Sequence, residues 1–168
     1  MLTRMLTTIT LTIVVAIAGP AWSYDAAMAE SYATLFAPVE GADAGKGMHM
    51  IMPEAFLDKV KAKAPLVALD VRTPAETDVY TVALPGALMI PLNELFTETN
   101  LARIPTDKTV VVLCQTGARA TAAGIALRHI GFENVYVLKG GFKAMTAYMG
   151  PKEATTPLKP DTVKPKGD

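Results

Sequence analysis

One cysteine, one tryptophan and two histidines are all that the 168 residues hold of these side chains. A lone thiol cannot close an internal disulfide, so a framework of disulfide-stapled loops is excluded. His49 and His129 stand far apart in the chain and in no ligand-spaced cluster, so no metal site is proposed and no cofactor is called for. An excess of either charge is also missing. Sixteen basic residues face 16 acidic ones, which argues against nucleic acid or an acidic membrane surface as a partner. No apolar run reaches the roughly 20 residues of a membrane span, and the run at residues 9–18 falls well short.

That run belongs to a different pattern. Arg4 precedes it, Gly19 and Pro20 break it, and Ala21, Trp22 and Ser23 follow with small residues spaced for cleavage. Residues 1–23 therefore read as a secretory signal peptide cut after Ser23, with a kept membrane anchor as the competing reading. The expected location is periplasmic or secreted, with no stable membrane insertion after cleavage. Export sharpens the meaning of the lone cysteine: an oxidising compartment favours paired thiols, so an unpaired one points to chemistry or to exchange between molecules.

Residues 24–47 read as an N-terminal extension with a short helix at 26–36. Residues 150–168, rich in Pro, Lys and Thr and without periodicity, read as a disordered C-terminal tail. Between them, residues 48–149 alternate short apolar runs with helical segments. Strands are expected at 48–51, 66–69, 87–90, 109–113 and 135–138. Helices are expected from Pro53, at 93–96 with Asn93 as cap, at 120–130 and at 142–148. This is an α/β plan: one domain with a central, mostly parallel sheet and helices on both faces. In the helix at 120–130, Ala122, Ile125, Ala126 and Ile130 recur at helical spacing as the core face, and Gly131 ends it. Lys59, Lys61 and Lys63 read as a solvated face. The nine methionines read as core and signal usage rather than copper handling.

Cys114 occupies the most informative position. A β-branched run, Thr109-Val110-Val111-Val112-Leu113, leads into it, a loop containing Gly117 follows, and a helix begins directly after. Thiolate rather than thiol is the reacting species, and the unpaired amides and positive dipole at a helix N-terminus stabilise it. Gly117 allows the backbone angles that turn successive amides inward into an anion-binding nest, and Arg119 adds positive charge at its edge. The implied ligand is an anion that reacts with sulfur. An inert buried cysteine is the bland alternative, and the placement argues against it. Asp70 and Arg72, at the end of the strand at 66–69, read as a hydrogen-bonding pair that holds a loop, with a catalytic role as the alternative. Glu76 reads as an anchor of the same segment.

These residues resemble the rhodanese or sulfurtransferase family. Cys114-Gln115-Thr116-Gly117-Ala118-Arg119 is similar to its active loop, Cys-x-x-Gly-x-Arg, with the hydroxyl residue Thr121 close behind. Asp70-Val71-Arg72-Thr73-Pro74-Ala75-Glu76 resembles its Asp-x-Arg-x-x-x-Glu segment. Leu84-Pro85-Gly86-Ala87-Leu88-Met89-Ile90-Pro91 resembles Ile-Pro-Gly-Ala-x-x-Ile-Pro, and Leu138-Lys139-Gly140-Gly141-Phe142 the late Gly-Gly-aromatic turn. Two departures stand out: Val82-Ala83 replaces the usual Gly-His, and Phe142 stands where tryptophans are usual. The resemblance implies a rhodanese-like domain and sulfane-sulfur transfer through a Cys114 persulfide cradled by Gln115, Thr116, Gly117, Ala118 and Arg119, without a cofactor. The implied partners are a small sulfur-containing anion such as thiosulfate, a thiol, or a protein persulfide. Two other readings stay open. A noncatalytic rhodanese-like module would bind a partner through the same loop. A phosphatase or arsenate reductase would use a Cys-x5-Arg loop, whereas four residues separate Cys114 from Arg119 here.

Overall fold

The β-branched runs make the sheet. Val110 and Val112 face one side of their strand and Val111 and Leu113 the other, and all four are fully buried, so this strand has a hydrophobic layer on both faces. The structure, a computed structural model, describes residues 24–157. The expected signal peptide and the end of the expected tail, 158–168, lie outside them.

In chain order the elements are α1 (Ala26–Phe36), a single 3-10 turn (Gly41–Asp43), α2 (Ala44–Gly47), β1 (Met50–Ile51), α3 (Pro53–Lys61), β2 (Leu66–Asp70) and α4 (Pro74–Thr77). Then follow β3 (Leu88–Met89), α5 (Glu98–Leu101), β4 (Thr109–Leu113), α6 (Ala118–His129), β5 (Val135–Leu138), α7 (Gly141–Tyr148) and α8 (Pro151–Thr155). The five strands pair in the order β1-β5-β4-β2-β3, and every pairing is parallel. Beneath one face, α6 packs on Leu69, Val110, Val112, Val135 and Val137 through Ala120, Ala123 and Leu127. Beneath the other, Phe56 of α3 and Phe142 and Met145 of α7 cover Ala68, Val111, Leu113 and Leu138. The α/β plan with helices on both faces is thus the observed one.

Four local expectations need correcting. The buried face of α6 is Ala120, Ala123, Gly124 and Leu127, whereas Ala122 is exposed and Ile130 is half exposed. An Ala-rich helix is weakly amphipathic, and close approach decides: a Cβ on Gly124 would collide with the Val137 side chain, so this stripe is the one that lets α6 settle on β5. Gly131 does end the helix as expected, at φ +105, with its N–H on the Arg128 carbonyl and the Phe132 N–H on that of Leu127, a Schellman arrangement.

Residues 92–96 form turns, and the nearby helix is α5, capped by the Thr97 hydroxyl on the Asn100 N–H. Residues 151–155, expected to lack structure, form α8 with Pro151 at its first position. Lys61, expected in solvent, ties α8 down by donating to the Glu153 carbonyl and carboxylate, both at 2.7 Å. Helix α1 is found at its expected bounds with no buried residue. It meets the body through His129, which stacks on Tyr32 at 4.2 Å and lies 3.3 Å from the Ser31 hydroxyl.

Candidate active site

Parallel pairing brings the carboxyl ends of β2, β4 and β5 to one edge of the sheet, where crevices of α/β folds open. Asp70 ends β2, Cys114 follows β4 directly, and the Gly140-Gly141 turn follows β5. Asp70 pairs in register with Leu113, and the Val71 N–H bonds the Leu113 carbonyl, so the ends of β2 and β4 are locked side by side.

The loop from Cys114 to α6 is shaped by Gly117, whose φ of +93 places it in the left-handed region as the N-cap of α6. This turn directs the N–H of Gly117 to Cys114 Sγ at 3.2 Å, and the N–H of Ala120 points at the same sulfur from 3.4 Å. Two amides therefore point at the thiol: Gly117 belongs to the expected set 115–119, and Ala120 lies one residue beyond it. The thiol itself is 1 % exposed. It sits on the floor of the loop rather than at its mouth, because β4 carries it down into the layer above the sheet.

A second glycine corner braces the first. Gly141 has φ +58, and a Cβ there would strike the Cys114 carbonyl oxygen and come within 2.7 Å of the Gly117 nitrogen. Only glycine lets this turn approach so closely, and the contact lets the Phe142 N–H bond the Cys114 carbonyl at 2.9 Å and the Lys143 N–H that of Gln115 at 3.0 Å. The carbonyls of Cys114 and Gln115 are thereby held by the first turn of α7.

The expected residues divide clearly. Gln115 and Gly117 are drawn into the loop's bonding, Thr116 and Ala118 are exposed, and Arg119 lies at the loop edge, where its charge interacts with Cys114. Its guanidinium makes two bonds to Glu76, 2.7 Å and 2.6 Å, so the positive charge expected at the loop edge is already paired. Glu76 also accepts from the Thr73 N–H at 3.0 Å and hydroxyl at 2.9 Å. The Arg119 bonds first, and the Thr73 backbone bond next, draw the Glu76 carboxyl down to about 2, and Glu76 in turn raises Arg119. A depressed folded-state value means that this pair's stabilisation is fully present above pH 4.5 and is lost as pH falls towards 2. The expected result is that Glu76→Gln lowers the melting temperature at neutral pH, and that the gap to the native chain closes across that acid window. Both ends of the bridge are about a third exposed, so the gap is modest.

Asp70 and Arg72 form a buried ion pair, each 1 % exposed. Arg72 Nε and Nη2 reach the carboxylate at 2.8–3.0 Å, its backbone N–H adds another bond at 3.0 Å, and Nη2 also holds the Tyr80 carbonyl at 2.7 Å. The guanidinium lies 3.8 Å from the centre of the Phe142 ring and 4.6 Å from that of Tyr80, while its Nη1 has no hydrogen-bond partner among the described residues. This arrangement ties residues 70–80 to Phe142, the residue after the Gly140-Gly141 turn.

Tyr80 was not singled out by sequence. Its hydroxyl donates to Gln115 Oε1 at 2.6 Å and fixes the one amide side chain of the active loop. It lies in an irregular segment between motifs, so no periodicity marked it. Among the described residues, no group of three or more His, Cys, Asp and Glu is placed to hold a metal ion. No helix among them is long and apolar enough to cross a membrane.

A cysteine on a strand-loop-helix corner, with amides aimed at its sulfur on a five-stranded parallel sheet, matches a known class: residues 52–148 match the rhodanese-like domain. The chain belongs to this family. It is 35% identical over 112 residues to a probable adenylyltransferase/sulfurtransferase, MoeZ, of Mycobacterium tuberculosis, covering 67% of this chain and 28% of that protein. The chain thus spans little more than a quarter of that relative's length. A sulfurtransferase of Allochromatium vinosum is 34% identical over 79 residues, 47% of this chain and 70% of its own. Among solved structures, a rhodanese-related protein from Thermoplasma volcanium superposes with a TM-score of 0.51 at 25% identity, over 61% of this chain and 95% of that one.

Proposed function

We propose that the protein is a sulfurtransferase that moves one sulfane sulfur from thiosulfate or a persulfide to a thiol or cyanide by way of a Cys114 persulfide. The observation that carries this reading is the pair of amide bonds from Gly117 and Ala120 to Cys114 Sγ. They stabilise negative charge on that sulfur, which favours thiolate as attacking group and again as leaving group.

In the first step the Cys114 thiolate attacks the outer sulfur of thiosulfate, a sulfur–sulfur bond forms, and sulfite leaves with the electrons of the broken bond. In the second, the acceptor attacks the outer sulfur of the persulfide and the thiolate departs. No general base is required, because each step exchanges one thiolate-like leaving group for another. A thiol that is 1 % exposed is reached more readily by a slim terminal sulfur than by a bulky electrophile. The four-residue spacing from Cys114 to Arg119 and the occupation of Arg119 by Glu76 both count against a phosphatase or arsenate reductase. The donor and acceptor are a small anion or thiol, or a protein-borne persulfide, and export with removal of residues 1–23 is part of the same proposal.

The burial of Sγ favours one other reading, a noncatalytic module that binds a partner through the loop. Steady-state formation of thiocyanate from thiosulfate and cyanide separates the two. Transfer through a covalent intermediate gives parallel double-reciprocal lines, the mark of ping-pong kinetics. Intersecting lines, or no thiocyanate above the uncatalysed rate, would remove the proposal.

A further inference from the structure

Beside the active loop runs an apolar groove of about 240 Å³, walled by Phe56, Leu57, Tyr80, Leu84, Phe142 and Met149 among others, and none of its lining residues is charged. Two of these residues are bonded directly to the active loop. The Tyr80 hydroxyl holds the Gln115 side chain at 2.6 Å, and the Phe142 N–H holds the Cys114 carbonyl at 2.9 Å. Their rings meet edge to face at 5.3 Å, so these two residues stand between the groove and the active loop.

The groove's own lining carries no charge. Of the two guanidiniums nearby, Arg72 is buried against Asp70 and Arg119 is bridged to Glu76 while also interacting with Cys114, so positive charge is met at the thiol and not along the groove. Backbone amides can hold a single developing negative charge on sulfur, whereas the far end of the substrate meets only apolar surface.

Building on sulfur transfer through Cys114, we propose that the preferred substrate is an organic persulfide whose uncharged alkyl or aryl group lies in this groove while its outer sulfur enters the loop. The Cys114 thiolate attacks that outer sulfur, a new sulfur–sulfur bond forms as the original one breaks, and the organic thiolate leaves. The proton on the outer sulfur stays with it, so atoms and charge balance without an oxidant or reductant. The same groove receives an apolar thiol in the reverse sense, when it accepts the sulfur.

The experiment measures second-order rate constants for loading Cys114 from ethyl, butyl and hexyl persulfide and from thiosulfate, read by mass spectrometry of the quenched full chain. A fully buried methylene raises the constant about fourfold; in this open groove each is about half withdrawn from water and raises it about twofold, so hexyl exceeds ethyl by roughly 15-fold. Met149, 47% exposed, and Ala83, also exposed, sit on the groove's rim, where an added charge leaves the core packing in place. Met149→Asp and Ala83→Asp each bring the hexyl-to-ethyl ratio towards one. A ratio near one in the unaltered chain overturns the inference, as does a ratio that both substitutions leave unchanged. So does a dimer in sedimentation that Met149→Asp dissociates, which would make the groove a face between two copies. Loading by thiosulfate without chain-length preference removes the groove and leaves sulfur transfer standing, whereas loading by no donor removes both.

Discussion

Cys114→Ser loses thiosulfate:cyanide transfer by on the order of 10³-fold or more, while the folded chain is retained. The substitution exchanges one small atom at a buried position, so the sheet and the two glycine corners keep their packing. Serine keeps an acceptor for the Gly117 and Ala120 amides, now at 3.2 and 3.4 Å from sulfur. It cannot supply an ionised nucleophile of comparable reactivity near neutral pH, nor form a persulfide, so binding and chemistry are separated in one variant. Cys114→Ala serves as the partner control, because it removes the amide acceptor as well. Equal rates for Cys114→Ser and the native chain would show that the transfer, if present, does not pass through this sulfur.

The second large effect falls on stability. Arg72→Ala and Asp70→Ala each lower the unfolding free energy by about 3–5 kcal/mol, because each leaves one charge buried without its partner. Against a typical total of roughly 5–15 kcal/mol this is a severe loss, equivalent to a fall in melting temperature of roughly 10–20 °C. Arg72 has further bonds to lose: the Tyr80 carbonyl at 2.7 Å and the faces of Phe142 and Tyr80. Its removal therefore also loosens the junction of the active loop with the groove. The joint replacement Asp70→Leu with Arg72→Met recovers much of the loss, since no charge then remains unpaired. Urea unfolding of the two single variants and the double variant checks all three, and a small, additive effect of the single changes would show that the pair is solvated rather than structural.

How much of this could be read in advance depended on the range of the interactions. β2, β4 and β5 were readable because each is a short apolar run bounded by breakers, and their observed bounds, Leu66–Asp70, Thr109–Leu113 and Val135–Leu138, match the expected ones to within a residue. The thiol's place on a corner before α6 was also local, as was the Asp70 and Arg72 pair two residues apart. The face of α6 was not, because alanines surround that helix and the choice was made by Gly124 against Val137, an element away in sequence. The pairing of Arg119 with Glu76 spans 43 residues, and that of Tyr80 with Gln115 spans 35. Neither leaves a trace in periodicity, so the sequence points to Arg119's charge at the loop edge but not to its carboxylate partner, and nothing in it marks Tyr80. The depth of Cys114 was likewise set by how β4 sits between two hydrophobic layers rather than by its neighbours in the chain.

Whether Cys114 carries the sulfur is decided by intact-mass analysis of the full chain after brief treatment with thiosulfate or an alkyl persulfide. The expected result is a single adduct of one sulfur atom, mapped to Cys114, discharged by cyanide or thiol and absent from Cys114→Ser. A mass unchanged by every donor, or an adduct that acceptors cannot discharge, would contradict it.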